Sequence, residues 1–242
     1  MKIEEAIQSV QSLYSKGVQS KDSRLTSRHI YSTLVSARTT ILKQQINKRQ
    51  KVNDSCYQPL SCIELEKAPI HECPCAPKKG LYILRSKQYL PKIISSLDKP
   101  LIQYVIELNG TTRLDRTTFE NVKYSSGDKY TGTKPKYYIK NNRLYITVLK
   151  MLKAVSANIL AEDPLEAYLF SSLCEECDTC KECIDPMQLD FYTDRDSFNS
   201  IAKITKDELV VMFGQMREDK NDDASDDIQS AGRMVHQPDN NG

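Results

Sequence analysis

Tyr137-Tyr-Ile-Lys-Asn-Asn-Arg-Leu-Tyr-Ile-Thr-Val148 reads as two short strands joined by a tight turn. Tyr137–Lys140 and Leu144–Val148 are rich in Tyr, Ile, Leu and Val, the residues that fit a pleated surface. Between them Asn141 and Asn142 supply what a two-residue hairpin turn needs, because Asn tolerates positive φ. The same character extends outward from about Val52 to Ser172. Leu81–Leu84 and Ile102–Leu108 read as strands, and further strands are expected near Thr117–Tyr124 and Ala154–Leu160. Together these runs predict a small antiparallel sandwich or barrel.

Both flanks change to helical spacing. Ile3, Ala6, Ile7, Val10, Leu13 and Tyr14 predict an amphipathic helix ended by Lys16-Gly17. Ile30, Leu34, Ala37, Ile41, Leu42 and Ile46 predict a second, longer one to about Arg49, with Asp22 and Ser23 as candidate caps. Its other face carries Arg24, Arg28, Arg38, Lys43 and Lys48, a set that could meet an acidic partner or nucleic acid phosphate or simply face solvent. Phe198, Ile201, Ala202, Ile204, Leu209, Val210, Met212 and Phe213 predict one or two further helices with Asp194 and Thr205 as caps. The expected fold is therefore α+β: a helical core from the N- and C-terminal helices, a central antiparallel β-sandwich or barrel-like insertion, and an extended C-terminal arm. The divisions fall at 1–51 (N-terminal helices), 52–172 (β-rich domain), 173–193 (Cys-rich connection), 194–217 (C-terminal helical part) and 218–242 (acidic tail).

Composition narrows the class. In 242 residues, 27% are charged and the net charge is +2, and no run approaches the ~20 apolar residues of a membrane span. Met1-Lys-Ile-Glu-Glu5 lacks the apolar block of a signal peptide, so the expectation is a soluble chain made in a cytosol. Even with Tyr counted, the apolar share is 39%, below the roughly 45–50% usual for globular domains, which points to a modest core completed by neighbouring subunits. Charge is unevenly spread. Residues 1–51 carry ten basic against three acidic side chains, a net +7, and residues 217–242 carry three against seven, a net −4. Such ends can steer head-to-tail association.

Chemistry is concentrated in cysteine. Cys174, Cys177, Cys180 and Cys183 stand three apart and could ligate one Zn²⁺ or an iron–sulfur cluster, since thiolates suit both. The spacing fits neither well. Zinc sites pair two CxxC knuckles across a dozen or more residues, and a ferredoxin run has three residues before its fourth Cys with Pro directly after. Glu175, Glu176, Asp178 and Glu182 also surround the thiols with negative charge, which disfavours the thiolate, so a local structural device is the favoured reading and zinc the alternative. Cys56, Cys62, Cys73 and Cys75, near His71, read as small buried cysteines or as a disulfide formed after release from a reducing cytosol rather than as a metal site. His29, His71 and His236 stand apart, with no phosphate loop, Ser elbow or HExxH around them, and Asp194-Arg-Asp196 reads as a helix start; no enzyme is expected.

In order along the chain, the helix pair Ile3–Tyr14 and Leu25–Arg49, the segment Glu72-Cys-Pro-Cys-Ala-Pro77 leading into Leu81-Tyr-Ile-Leu-Arg-Ser86 and Leu90-Pro91, and the hairpin 137–146 precede Ile159-Leu-Ala-Glu-Asp-Pro164. Cys183-Ile-Asp-Pro186 then comes before the helix ending Asp207-Glu-Leu-Val-Val-Met212. This series resembles the head-to-tail connectors of tailed phages, the portal adaptor or ring proteins, and most of all those of short-tailed crAss-like phages. The Cys run at 174–183 is not a general feature of connectors. The resemblance implies a non-enzymatic virion protein assembled in the host cytoplasm, in a ring of twelve copies beneath the portal protein, bearing further tail or ring proteins. It implies that genomic DNA passes through without sequence-specific binding, and that C-terminal segments reach neighbouring copies. The competing readings are a Cys-rich zinc protein interacting with nucleic acid and a redox or cluster-carrying enzyme.

Overall fold

The computed structural model describes residues 1–15, 25–69, 82–96, 99–125, 134–172 and 185–214. Two helices, α1 (Ile3–Tyr14) and α2 (Ser27–Asn47), open the chain, and α5 (Arg195–Phe213) closes its described part. Between them lie β1 (Gln58–Lys67), β2 (Tyr82–Ser86), the small hairpin β3 (Ser95–Ser96) and β4 (Lys99–Pro100), β5 (Ile102–Glu107), β6 (Asp115–Arg116), α3 (Phe119–Ser125), β7 (Lys136–Lys140), β8 (Arg143–Val148), β9 (Ala154–Ile159) and α4 (Pro164–Ser172).

Seven strands form one sheet in the order β5-β9-β1-β2-β8-β7-β6. It nearly closes. The Leu114 amide donates to the Val105 carbonyl at 2.9 Å and Ile106 bridges Arg113, so the segment entering β6 returns along the free edge of β5. Pairing both ends in this way removes the exposed edges of an open sheet. The expected antiparallel insertion is thus a barrel, with one departure: β6 runs parallel to β7. Its interior is filled by alternate residues, among them Leu60, Ile63, Leu84, Val105, Leu144, Ile146, Val155 and Ile159.

The hairpin at its centre forms for the reason its sequence suggests. Asn141 and Asn142 take φ of 50° and 56°, and Lys140 pairs with Arg143 across the turn. Leu144, Ile146 and Val148 point inward, whereas Tyr145 and its cross-strand partner Tyr138 stack on the outer face with ring centroids 5.1 Å apart. The expected strand at Thr117–Tyr124 is corrected: only Asp115–Arg116 is extended, and Phe119–Ser125 is helical. Thr118 starts that helix, its hydroxyl accepting from the Asn121 amide, and Phe119 and Val122 then share a face that covers Tyr138 and Tyr145. Spacing of i, i+3 lays both on one patch where a strand would turn them to opposite sides.

The three long helices pack as a layer of their own, with Ile3, Ala6, Ile7, Val10, Ile30, Leu34, Ala37, Phe198, Ile201 and Leu209 in its core. The cap of α2 is Thr26, which lies next to the helix, whereas the expected caps Asp22 and Ser23 fall outside the described residues. Asp194 caps α5 by accepting from the Ser197 amide, as the sequence suggests. Thr205 is not a second cap. It is fully buried inside one continuous α5, its hydroxyl returned to the Ile201 carbonyl at 2.8 Å. The extended segment after the 3-10 turn Pro186–Gln188 is strapped to the start of α1, the Ile3 amide donating to Leu189 and the Phe191 amide to Met1. The C-terminal arm lies outside the described residues.

Because Asn142 sits in the left-handed region, Asn142→Val should destabilise the protein by about 1–2 kcal/mol while Asn142→Gly leaves it nearly unchanged. Urea unfolding midpoints of the two variants against the parent measure this.

Candidate functional site: the helix–barrel junction and the surfaces it holds apart

Three segments far apart in sequence meet between helical layer and barrel, one before β1, one after β9 and one before α5, and each turns a backbone carbonyl to one side chain. Arg38, in the middle of α2 and fully buried, donates from Nε to the Tyr192 carbonyl at 2.7 Å, from one terminal nitrogen to Ala161 at 2.8 Å and Glu162 at 3.3 Å, and from the other to Cys56 at 3.1 Å. The planar guanidinium is the side chain whose fixed fork can reach several acceptors at once. Burial lowers its pKa to about 10, still well above neutrality, so the group is a cation held by carbonyl dipoles.

Around it the junction is partly polar, partly dry. Tyr31 donates its hydroxyl to Asp163 Oδ1 at 2.6 Å, and the same oxygen accepts the Leu165 amide at 2.9 Å at the start of α4. Burial, and then that hydrogen bond, push the Tyr31 phenol above its ordinary value. Lys43 meets Glu162 at 3.1 Å, and Gln58 donates to the Pro164 carbonyl at 2.8 Å. Leu42, Val52, Cys56, Ile94 and Leu160 seal the other flank. Burial also raises the Cys56 thiol, which suits a small buried residue rather than a reactive one.

Arg38 is a correction to the expected basic face of α2. Arg28, Lys43 and Lys48 are exposed as expected, Arg24 lies outside the described residues, and Arg38 points into the junction. No local signal separates it from its neighbours; only its position on the apolar stripe, one residue after Ala37 and three before Ile41, hints at it. Cys174, Cys177, Cys180 and Cys183 lie outside the described residues, as do His71, Cys73, Cys75 and His236. Cys56 is a free buried thiol, and Cys62, at the irregular register of β1, is disulfide-bonded. Among the described residues no group of three or more His, Cys, Asp and Glu converges on a metal position, and no helix is long and apolar enough to cross a membrane.

Two surface regions stand out for exposed apolar side chains. At the end of the helical layer are Leu13, Val211, Met212 and Phe213, where Tyr14 donates to the Gly214 carbonyl at 2.7 Å and His29 lies 5.3 Å from Phe213. At the far end of the barrel are Leu108, Leu149 and Met151, brought together by the Lys150–Glu107 ion pair at 2.8 Å. Exposed apolar clusters of this kind mark contact surfaces.

A braced two-part block with apolar ends has the design of an assembly component, and the comparison with known families says which. The chain belongs to the phage tail ring protein 2 family of crAss-like phages, which matches residues 5–228. It is thus a virion structural ring protein. No curated protein matches it.

Arg38→Met should cost about 3–5 kcal/mol, because it strands buried carbonyls in all three segments, and Arg38→Lys should recover little of that, since an ammonium cannot span the same acceptors. Urea unfolding of both variants tests it. Alkaline pH gives an independent reading. Tyr31, Tyr57, Tyr137 and Tyr192 are all raised by burial above their ordinary 10.0. The unfolded chain therefore releases those protons first, and stability falls as pH rises through 10. Arg38, lowered, has the opposite slope, one group against four. Thermal unfolding between about pH 9 and 11 should show the decline, and Tyr31→Phe should make it shallower.

Proposed function

We propose that the protein forms a twelve-copy ring beneath the portal of a tailed phage, connecting capsid to tail and extending the channel through which DNA leaves. The role is structural and non-enzymatic, and the ring forms in the host cytoplasm. Membership of the ring-protein family over residues 5–228 is the observation that carries the reading. Three features support it. A ring needs a heterologous interface, one patch against a different patch on the next copy, and charge is distributed asymmetrically along the chain, +7 over residues 1–51 and −4 over 217–242. DNA crossing a channel must not stick, and a net charge of only +2 avoids the broad basic surface that would hold phosphates. Finally, the Arg38 junction makes helical layer and barrel a stiff unit, which a load-carrying ring requires.

Electron microscopy of the purified protein, alone and mixed with the portal protein of its phage, tests the reading. Rings coaxial with the portal are the expected result, and truncation after Arg217 should leave the fold intact while weakening ring or portal association. A chain that stays monomeric and ignores the portal overturns it.

A further inference from the structure

The segment that closes the barrel turns back from β5 at Leu108-Asn-Gly-Thr111. Two main-chain bonds shape the turn: the Glu107 amide donates to the Thr112 carbonyl at 3.1 Å, and the Gly110 amide donates to the Glu107 carbonyl at 2.8 Å. Asn109 and Gly110 are both exposed. Gly110 holds φ at 69°, in the left-handed region that glycine enters without steric cost, and open space lies where a Cβ would stand. The Asn109 side chain makes no hydrogen bond among the described residues.

No other asparagine of the described residues combines these features. Each of the others is followed by a residue with a side chain, which hinders closure of a ring between the asparagine amide carbon and the next main-chain nitrogen. Asn47, Asn121 and Asn199 lie in helices, where the following amide belongs to the hydrogen-bonded ladder. Asn53 and Asn158 are already engaged, with the Ser55 amide and the Gln103 side chain. Asn141 and Asn142 are held in the β7–β8 turn, where the Asn142 carbonyl accepts from the Leu90 amide.

We infer that Asn109 is a site of spontaneous modification, converting to aspartyl and isoaspartyl forms through a cyclic imide closed by the Gly110 nitrogen. That nitrogen gives its proton to hydroxide and attacks Asn109 Cγ. A Cγ–N bond forms, the Cγ–Nδ2 bond breaks, and ammonia leaves with a proton taken from water. Water then opens the ring at either carbonyl, which restores an ordinary aspartyl linkage or leaves the main chain running through Cβ and Cγ. The sum is amide plus water to acid plus ammonia, with no oxidant or reductant. The Gly110–Glu107 bond has to open first, and a solvent-exposed turn tip held by a single such bond opens by local fluctuation. Each event lowers the net charge by one, +2 − 1 = +1. A virion component is not replaced once the particle has left its cell, so the change accumulates with particle age.

Peptide mapping of the purified protein, held under mildly alkaline and under mildly acidic conditions, tests the site. Because Lys99 precedes Pro100, trypsin leaves Asn109 in the peptide Ile93–Arg113 as its one asparagine, whereas Asn241-Gly242, outside the described residues, falls in Met234–Gly242. The 93–113 peptide should gain about one mass unit, faster at alkaline pH. It should also take a methyl group from S-adenosylmethionine in the presence of an isoaspartyl methyltransferase. Asn109→Ser, which leaves Gly110 in place, should abolish both signals, and matching thermal unfolding shows that the variant folds. Peptides carrying Asn141 and Asn158 should keep their mass over the same time. A folded protein whose 93–113 peptide stays unchanged while the urea-unfolded chain gains the unit overturns the inference, since the turn then protects the bond. A gain that persists in Asn109→Ser overturns it as well.

Discussion

Taking the Arg38 guanidinium out of water costs several kcal/mol, and that cost is offset only where hydrogen-bond acceptors are fixed in advance. Here the acceptors are the carbonyls of Cys56, Ala161, Glu162 and Tyr192, which belong to three segments far apart in sequence. The first two flank strands of the barrel and the third leads into α5 of the helical layer, so both layers are referred to a single buried cation. An apolar contact at the same spot would tolerate sliding by an ångström; a fork of directed bonds does not. The dry flank of Leu42, Val52, Ile94 and Leu160 keeps water from competing for those carbonyls, so packing and polarity act on the same geometry.

The elements most legible in the sequence are those whose causes are local. The helix Ile3–Tyr14 follows from the spacing of its own apolar residues, and the 137–148 hairpin from two Asn residues able to hold positive φ. Where the cause is tertiary the reading slips. Thr117–Tyr124 is rich in strand-forming residues, yet a helix there covers the outer faces of Tyr138 and Tyr145 better than an added strand would. Thr205 has the chemistry of a cap but sits within a helix whose apolar stripe runs uninterrupted on both sides of it. Parallel pairing of β6 with β7 also has no local signature, because it depends on how the barrel closes.

The site is less legible still. Arg38 reads as one more cation on a basic helix, since nothing in its neighbours tells that three carbonyl-bearing segments will gather around it. Val211, Met212 and Phe213 continue an apolar helical pattern and look like core. They are exposed because α1 stops at Tyr14 and the Tyr14 hydroxyl holds Gly214, so α5 reaches its last turn with no helix of the described residues left to cover that face. Apolar periodicity marks a face that will be covered, without saying whether the cover is the same chain or another.

That ambiguity bears on how a ring closes. In a heterologous assembly the rotation from one copy to the next is set by the angle between the two contacting patches within a single copy, and a ring forms only when that rotation divides a full turn. A soft joint between the patches would spread the angle and permit open, helical or irregular chains. For any two patches that lie on different layers, the joint in question is the Arg38 junction. Its directed bonds hold the angle more tightly than hydrophobic packing of equal strength would, because misorientation breaks hydrogen bonds in a region without water to replace them. The buried cation therefore bears on how uniformly the two layers are oriented in each copy as well as on how stable the fold is.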